Sequence, residues 1–197
     1  SAVVTAYKKR KEVKLGAVKG DISEIAFNRR TRKTDGSLVM TFSVSDQVAS
    51  TRQIQKEVDG LTKVTFSPEP NQPPLAFGPI DPDVWIFRIE DMEGQLIGSL
   101  VNYACHPVSG SAFSDWFYSI SADYPGETTR IVEQVEGGIC LFTLGAAGNM
   151  VPLQRGRQAR FQMGKALAGE IIRRLQFVST SGQIDIKAMK TQIELPL

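Results

Sequence analysis

Two strongly apolar segments, 84–89 and 96–104, stand on either side of the short sequence Asp-Met-Glu-Gly at 91–94. A glycine-containing connection between two such runs is typical of a β-hairpin. Because both runs are apolar along nearly their whole length, we expect them to be central strands of a sheet. This hairpin commits the chain to a fold built around a β-sheet.

The second half of the chain predicts helices that alternate with strands. Residues 127–136 carry an apolar side and end at two glycines, as a helix does. Residues 139–144 are predicted to form a buried strand, and 157–177 have apolar residues at i+4 spacing, which is typical of an amphipathic helix. A further strand is expected near 183–195.

The first half predicts short hairpins. Residues 22–28 form a predicted strand, 34–37 contain an Asp-Gly turn, and 38–44 return as the partner strand. Residues 46–82 are expected to be mostly irregular, with a weak helix or loop at 48–58 and a strand at 61–66. Together the elements predict an α/β (mixed α+β) fold, in which helices pack against a mixed β-sheet and β-hairpins fill the N-terminal half.

Composition excludes several classes of protein. The 197 residues are 42% hydrophobic, enough to bury the core of a single domain over residues 1–197. No apolar run approaches the roughly 18 residues that a membrane span needs. The net charge of +2 is too balanced for a polyanion-binding protein, so we expect no nucleic-acid partner and interpret the basic N-terminus as a solvated face. No signal peptide is recognisable in this chain.

Cys105 and Cys140 lack the close spacing of a zinc knuckle or a redox pair. Buried free thiols are the expected state, and a disulfide between adjacent strands stays open as an alternative.

His106 is the only histidine, and it stands at the end of the second apolar run. Pro107 cannot donate to a sheet ladder, so the strand is expected to stop here and to present the imidazole where the chain leaves the sheet. A single histidine can be structural or functional, and the residues predicted to lie near it have to distinguish these two roles.

Two other segments carry candidate chemistry. Asp123 precedes a predicted helix, where it can be a helix-terminal acid or a carboxylate that orients His106 or a metal-bound water. The small residues at 145–148 follow a strand and either let the backbone approach a ligand closely or form a tight crossing under a helix.

Four segments, taken in order, resemble the neutral/alkaline (non-lysosomal) ceramidase family. They are Ile-Ala-Phe-Asn-Arg-Arg at 25–30, Asn-Tyr-Ala-Cys-His-Pro at 102–107, Ser-Ala-Asp-Tyr-Pro-Gly at 121–126 and Gly-Ala-Ala-Gly-Asn-Met-Val-Pro at 145–152. The likeness covers roughly residues 20–176, and the chain is similar to the shorter bacterial ceramidase-like proteins.

The resemblance implies a zinc-dependent amidohydrolase that cleaves the N-acyl bond of ceramide or a related lipid amide. It implies that His106 binds zinc, that His106 and Asp123 are catalytic, and that Asn28, Arg29, Gly148 and Asn149 lie at the substrate. It also implies a secreted or periplasmic protein; the oligomeric state stays open.

The family's Gly-Asp-x-Ser-Pro-Asn motif reads Gly-Asn-Met-Val-Pro-Leu at 148–153, so Val151 stands where the family has serine. The family's His-x-His element is not found in this chain. We therefore expect an internal portion of a larger ceramidase-like catalytic domain, which carries part of the zinc site and is inactive alone. One alternative is a non-catalytic, ligand-binding or partner-binding descendant of that fold.

A second alternative makes His106 a general base for a nucleophile. The candidates are Cys105, Ser109 and Ser111, with Asp123 orienting the imidazole.

Overall fold

The computed structural model describes residues 1–68, 72–110 and 119–195. In these ranges the elements are α1 (Ala2–Lys8), β1 (Lys14–Asp21), β2 (Ala26–Asn28), β3 (Arg30–Arg32), β4 (Leu38–Met40), α2 (Asp46–Ala49), β5 (Gln53–Lys56), β6 (Thr62–Thr65), β7 (Pro79–Ile80), β8 (Asp83–Glu90), β9 (Leu96–Tyr103), α3 (Asp123–Glu136), β10 (Ile139–Leu144), β11 (Met150–Pro152) and α4 (Arg157–Leu175).

The main sheet has four strands in the order β1-β8-β9-β10. β8 pairs antiparallel with both β1 and β9, whereas β10 joins β9 in parallel. A parallel pair needs a crossover connection, and α3 lies in the connection between β9 and β10. The predicted hairpin, the central position of its strands and the mixed α/β fold are thus confirmed.

Helices α3 and α4 pack together over one face of this sheet. The hydroxyl of Thr128 donates to the carbonyl of Gly164 at 3.3 Å. A methyl group on Gly164 would lie only 2.6 Å from the Cβ of Glu127, so the helices cross at a distance that requires glycine. The sheet contributes Val84, Ile86, Val101 and Tyr103 to the core, all of them fully buried.

The opposite face of the sheet carries exposed apolar side chains. Successive strand residues point to opposite faces, so Trp85 and Phe87 alternate with the buried core residues and are 46% and 40% exposed. Leu141 on β10 is 59% exposed. The prediction of a buried strand at 139–144 was therefore wrong, because β10 is an edge strand of this sheet.

The predicted partner strands 22–28 and 38–44 do not pair with each other. The short strand β2 is fully buried and pairs with β11, from the distant end of the chain. The turn at 34–37 instead connects β3 with β4, and Asp35 accepts a hydrogen bond from the amide of Ser37 at 2.8 Å. The turn was placed correctly, but its preceding strand is the polar segment after β2. In the region predicted as mostly irregular, the strand expected at 61–66 is found as β6.

The last predicted strand, 183–195, is not present. Those residues are exposed and belong to no helix or strand, although Ile184 and Ile186 alternate with polar residues. The chain returns to the main sheet only at Ser181, which exchanges two backbone hydrogen bonds of 2.9 Å with Leu15.

Further upstream, α3 begins at Asp123, four residues before its predicted start.

Sequence patterns did not reveal α1 or β1. All of α1 is exposed. The basic residues 9–11 that follow it are exposed as well, as expected for a solvated face. In the ranges that the structure describes, no helix combines the length and the apolar character needed to cross a bilayer.

Candidate functional site

Segments from distant parts of the sequence meet at the backbone of 148–150. The side chain of Arg29 donates to the carbonyl of Gly148 at 2.8 Å, and its backbone amide donates to the carbonyl of Asn149 at 2.8 Å. The backbone amide of His106 donates to the carbonyl of Met150 at 3.1 Å. Three consecutive carbonyls therefore hold Arg29 and His106 beside the same stretch of chain.

His106 is half-buried and lies three residues after the end of β9 at Tyr103, in the segment where the chain was predicted to leave the sheet. Its carbonyl accepts a hydrogen bond from the amide of Val108 at 2.9 Å, which turns the chain around Pro107. Burial lowers the pKa of His106, and the positive charges of Arg29 and Arg155 lower it further. Both effects favour the neutral ring, the form in which imidazole binds metals or accepts a proton.

Asp123 is buried at the start of α3, and its carboxylate is fully engaged. One oxygen accepts from the amide and the hydroxyl of Ser109 at 3.0 and 2.5 Å, and from the amide of Tyr124 at 2.8 Å. The other oxygen accepts from the amide of Gly110 at 2.9 Å. Among the described residues, no hydrogen bond joins Asp123 to His106. Asp123 thus fixes the turn that follows His106, and its predicted catalytic role stays a prediction.

Asn28 is 4% exposed and lies at the junction of three strands. Its amide nitrogen donates to the carbonyl of Pro79 at 2.6 Å, and its amide oxygen accepts from the backbone amide of Arg30 at 2.9 Å. Both ends of the side chain are therefore bound to backbone groups. Contact between Asn28 and a substrate stays a prediction.

The loop at 145–148 combines close packing with open space. The amide of Gly145 donates to the carbonyl of Tyr103 at 3.1 Å, and a methyl group on Gly145 would lie 3.0 Å from the Cβ of Ala104. This glycine therefore packs against the end of β9 and not under a helix. A methyl group on Gly148 would meet no atom within 4 Å, so the loop is open at that end.

Sequence reasoning missed Arg155, which lies close to His106 and Arg29. Its Nε donates to the carbonyl of Phe42 at 2.8 Å, and one terminal nitrogen donates to the carbonyl of Val108 at 2.6 Å. The guanidinium of Arg29 lies over the ring of Phe42, 5.6 Å from its centroid. An isolated arginine three residues after a short strand carries no spacing signal, so no motif could have identified it.

The structure disfavours a nucleophile activated by His106. Cys105 is buried, its thiol donates to the carbonyl of His106 at 3.8 Å, and burial raises its pKa well above the ordinary range. The hydroxyl of Ser109 is buried and donates to Asp123. Ser111 lies outside the described residues. Cys105 and Cys140 are free thiols, which confirms the expected state.

The described residues do not form a complete metal site. No group of three or more His, Cys, Asp or Glu side chains in these ranges is arranged to hold an ion. His106 offers one neutral imidazole, whereas a catalytic zinc typically has three protein ligands.

The motif position at which the resemblance places a serine is buried. Val151 is fully buried in β11 and pairs with Phe27. Asn149, one of the predicted substrate residues, is partly exposed. The structure thus brings Asn28, Arg29, His106, Gly148 and Asn149 together, and it places Asp123 behind the turn that follows His106.

Neither protein-family models nor curated proteins match this sequence. Solved structures do match. The neutral ceramidase from Pseudomonas aeruginosa aligns with a TM-score of 0.54 and 18% identity, over 89% of this chain and 25% of that chain. A ceramidase complexed with C2 aligns with a TM-score of 0.50 and 17% identity, over 84% of this chain and 23% of that chain. At such identities the likeness is one of fold, and this chain spans about a quarter of the length of the structures it matches.

Proposed function

We propose that this chain forms part of the active site of a ceramidase-like hydrolase that cleaves an N-acyl amide of a lipid. The observation that carries this function is the position of His106, which is half-buried beside Arg29, in a fold similar to that of neutral ceramidases. In the reaction, water adds across the C–N bond. The acyl carbon takes the hydroxyl group and the nitrogen takes the proton, which yields a carboxylic acid and an amine.

Zinc belongs to this hypothesis, with His106 as one ligand. Because no group of three or more ligand side chains is found among the described residues, the remaining ligands would come from elsewhere in a larger catalytic domain, of which this chain would be an internal portion. A bound zinc ion would supply Lewis-acid activation. This chain's own contribution would be to place His106, Arg29 and the open loop at Gly148 and Asn149 around the substrate.

Asp123 would act as a positioning residue in this arrangement. Its carboxylate fixes Ser109 and Gly110, and that turn sets the path of the chain immediately after His106. Asn28 would also position Arg29. Its side-chain amide binds the carbonyl of Pro79 and the backbone amide of Arg30, and it thereby holds the connection between β2 and β3 in which Arg29 lies.

Zinc content and turnover test this function together. Zinc is measured by mass spectrometry after dialysis against a zinc buffer, in this chain and in a longer natural polypeptide that contains it. We expect stoichiometric zinc and hydrolysis of N-acyl sphingosine in the longer form, with both lost in His106→Ala. The matched control is Asp35→Asn, in an exposed turn. Unchanged zinc content in His106→Ala would refute the assignment.

A second candidate is a non-catalytic, ligand-binding descendant of the same fold. The observation that favours it is Val151, whose buried position in β11 offers no hydroxyl. In that case the longer polypeptide would bind N-acyl lipids at equilibrium but would release no fatty acid from any of them. Release of fatty acid by the intact protein would eliminate this candidate.

A further inference from the structure

The segment that carries His106 continues past the end of the main sheet. The pairing of β9 with β10 ends at Tyr103, whose carbonyl accepts from the amide of Gly145 at 3.1 Å. Cys105 lies beyond that point and is nevertheless fully buried. A buried backbone carbonyl needs a hydrogen-bond donor. The donor for the carbonyl of Cys105 therefore has to come from outside the strand pairing.

Tyr124, the second residue of α3, supplies that donor. Its hydroxyl donates to the carbonyl of Cys105 at 2.5 Å, and both residues are fully buried. A buried tyrosine hydroxyl is costly without a partner, so the bond satisfies both groups. Burial raises the pKa of Tyr124, and the nearby Cys105 and Asp123 raise it further. The hydroxyl therefore keeps its proton in neutral solution and remains a donor.

The side chain of Tyr124 is itself held in place. Its ring meets the ring of Phe142 on β10 edge to face, with the centroids 5.8 Å apart and the planes at 88°. Its backbone amide donates to the carboxylate of Asp123 at 2.8 Å, and its carbonyl accepts from the hydroxyl of Thr128 at 2.9 Å. The hydroxyl of Tyr124 thus lies at a fixed point between α3 and the end of the main sheet.

The peptide bond between Cys105 and His106 is bound at both of its polar ends. Its carbonyl oxygen accepts from Tyr124, and its N–H group, which belongs to His106, donates to the carbonyl of Met150 at 3.1 Å. Because a peptide bond is planar, these two contacts fix the orientation of the whole unit. They therefore also fix the direction in which the Cα atom of His106 leaves it.

We propose that Tyr124 is a positioning residue for His106. Its hydroxyl fixes the peptide bond before the histidine, and Asp123 fixes the turn after it at Ser109. The first two residues of α3 thus hold the chain on both sides of His106. The catalytic consequence of this contact rests on the proposed function, whereas the contact itself requires neither zinc nor substrate.

Amide hydrogen exchange, followed by nuclear magnetic resonance on the whole chain without metal, tests this role. Tyr124→Phe keeps the ring and removes the hydroxyl. We expect the amide of His106 to exchange about tenfold faster relative to the amide of Ile86 in the central strand β8, because the peptide bond loses one of its two contacts. The ring signals of the single histidine should shift in the same sample. An unchanged relative exchange rate at His106 would overturn the assignment.

Tyr103→Phe is the matched control. Tyr103 is equally buried, and its hydroxyl donates to the carbonyl of Ile22 at 3.2 Å, so this variant loses a bond of the same kind at another place. The relative exchange rate of the amide of His106 should stay unchanged in it. Equal acceleration in both variants would contradict a specific role of Tyr124. If Tyr124→Phe does not fold, the hydroxyl proton of Tyr124 is followed in the wild-type protein. Slow exchange of that proton supports the contact, and exchange as fast as in free tyrosine refutes it.

Turnover by the longer natural polypeptide tests the catalytic consequence. Tyr124→Phe should lower kcat for N-acyl sphingosine about tenfold and leave KM nearly unchanged, because a misplaced His106 affects the reaction more than the binding of substrate. An unchanged kcat would show that the reaction does not depend on this contact. Absence of turnover in the wild-type polypeptide would count against the proposed function, and the exchange measurement would still decide whether Tyr124 positions His106.

Discussion

The carboxylate of Asp123 holds Ser109 through two hydrogen bonds, one from the backbone amide at 3.0 Å and one from the hydroxyl at 2.5 Å. This contact ties the first residue of α3 to the turn that follows His106. The backbone of Asp123 has a φ of 51°, a left-handed conformation that glycine, asparagine and aspartate tolerate better than other residues. The position is thus constrained by its side-chain partners and by its backbone.

Asp123→Asn should lower the free energy of unfolding by about 2 kcal/mol. The NH2 group of asparagine replaces one of the two carboxylate oxygens and so faces a donor, the amide of Gly110 if the remaining oxygen keeps its bonds to Ser109, while the left-handed backbone is still tolerated. Urea denaturation measures the change. The exposed variant Asp35→Asn should shift stability by less than about 0.5 kcal/mol. Equal losses in the two variants would contradict the role of the buried carboxylate.

Gly164→Ala should destabilise the protein by about 1–3 kcal/mol, because its methyl group would lie 2.6 Å from the Cβ of Glu127 and force α3 and α4 apart. Gly169→Ala, on the same helix, is the matched control because its methyl group would meet no atom within 4 Å. This control should gain up to about 1 kcal/mol from helix propensity. Thermal denaturation of the two variants separates the effect of helix packing from that of helix propensity. Changes in stability of the same sign in both variants would argue against a close helix crossing.

Cys105 and Cys140 should both react slowly with a thiol reagent at pH 8 in the native protein. Both are buried, and burial raises the pKa of each thiol, so little thiolate is present to react. In guanidinium chloride both should react at once. Rapid native labelling of Cys105 would instead revive the hypothesis of a thiol nucleophile beside His106.

His106 should titrate below the ordinary histidine pKa of about 6.5. Because burial and then the two arginine charges lower its pKa in the folded state, the unfolded chain binds more protons as the pH falls. The stabilising contribution of this neutral ring is therefore present above the unfolded pKa and lost as the pH falls through the folded pKa. Nuclear magnetic resonance follows the transition without ambiguity, since the protein has one histidine.

The arginines are tested in the same titration. Arg155→Gln should raise the pKa of His106, whereas Arg32→Gln should leave it unchanged. An unchanged pKa of His106 in Arg155→Gln would show that the charge of Arg155 does not act on the ring.

Local patterns predicted those elements whose partners are close in sequence. The hairpin of β8 and β9 has a turn and two apolar runs that specify each other, and α4 has a clear apolar stripe. The predicted strand at 183–195 failed because alternation alone does not supply a partner. The pairing of β2 with β11 was missed for the converse reason, since strands of three residues carry too little pattern to indicate a distant partner.

The same distinction between local and distant partners applies to the candidate site. His106 was singled out because Pro107 was expected to end a strong strand, which in the structure stops at Tyr103, and Arg29 was singled out through the resemblance of its segment to a family motif. Arg155 was missed because its importance depends on Phe42 and Val108, which only the folded chain brings to it. Asp123 was singled out because it precedes a predicted helix, and the structure shows its carboxylate bound to Ser109.

The hydrogen bond from Arg29 to Gly148 joins residues 119 positions apart, and Arg155 lies still further along the chain. No fragment that ends before β11 can contain this cluster, however well its hairpin forms. A cut between these positions places the two arginines on different fragments, and complementation by the two fragments would bring them together again only if β2 pairs with β11.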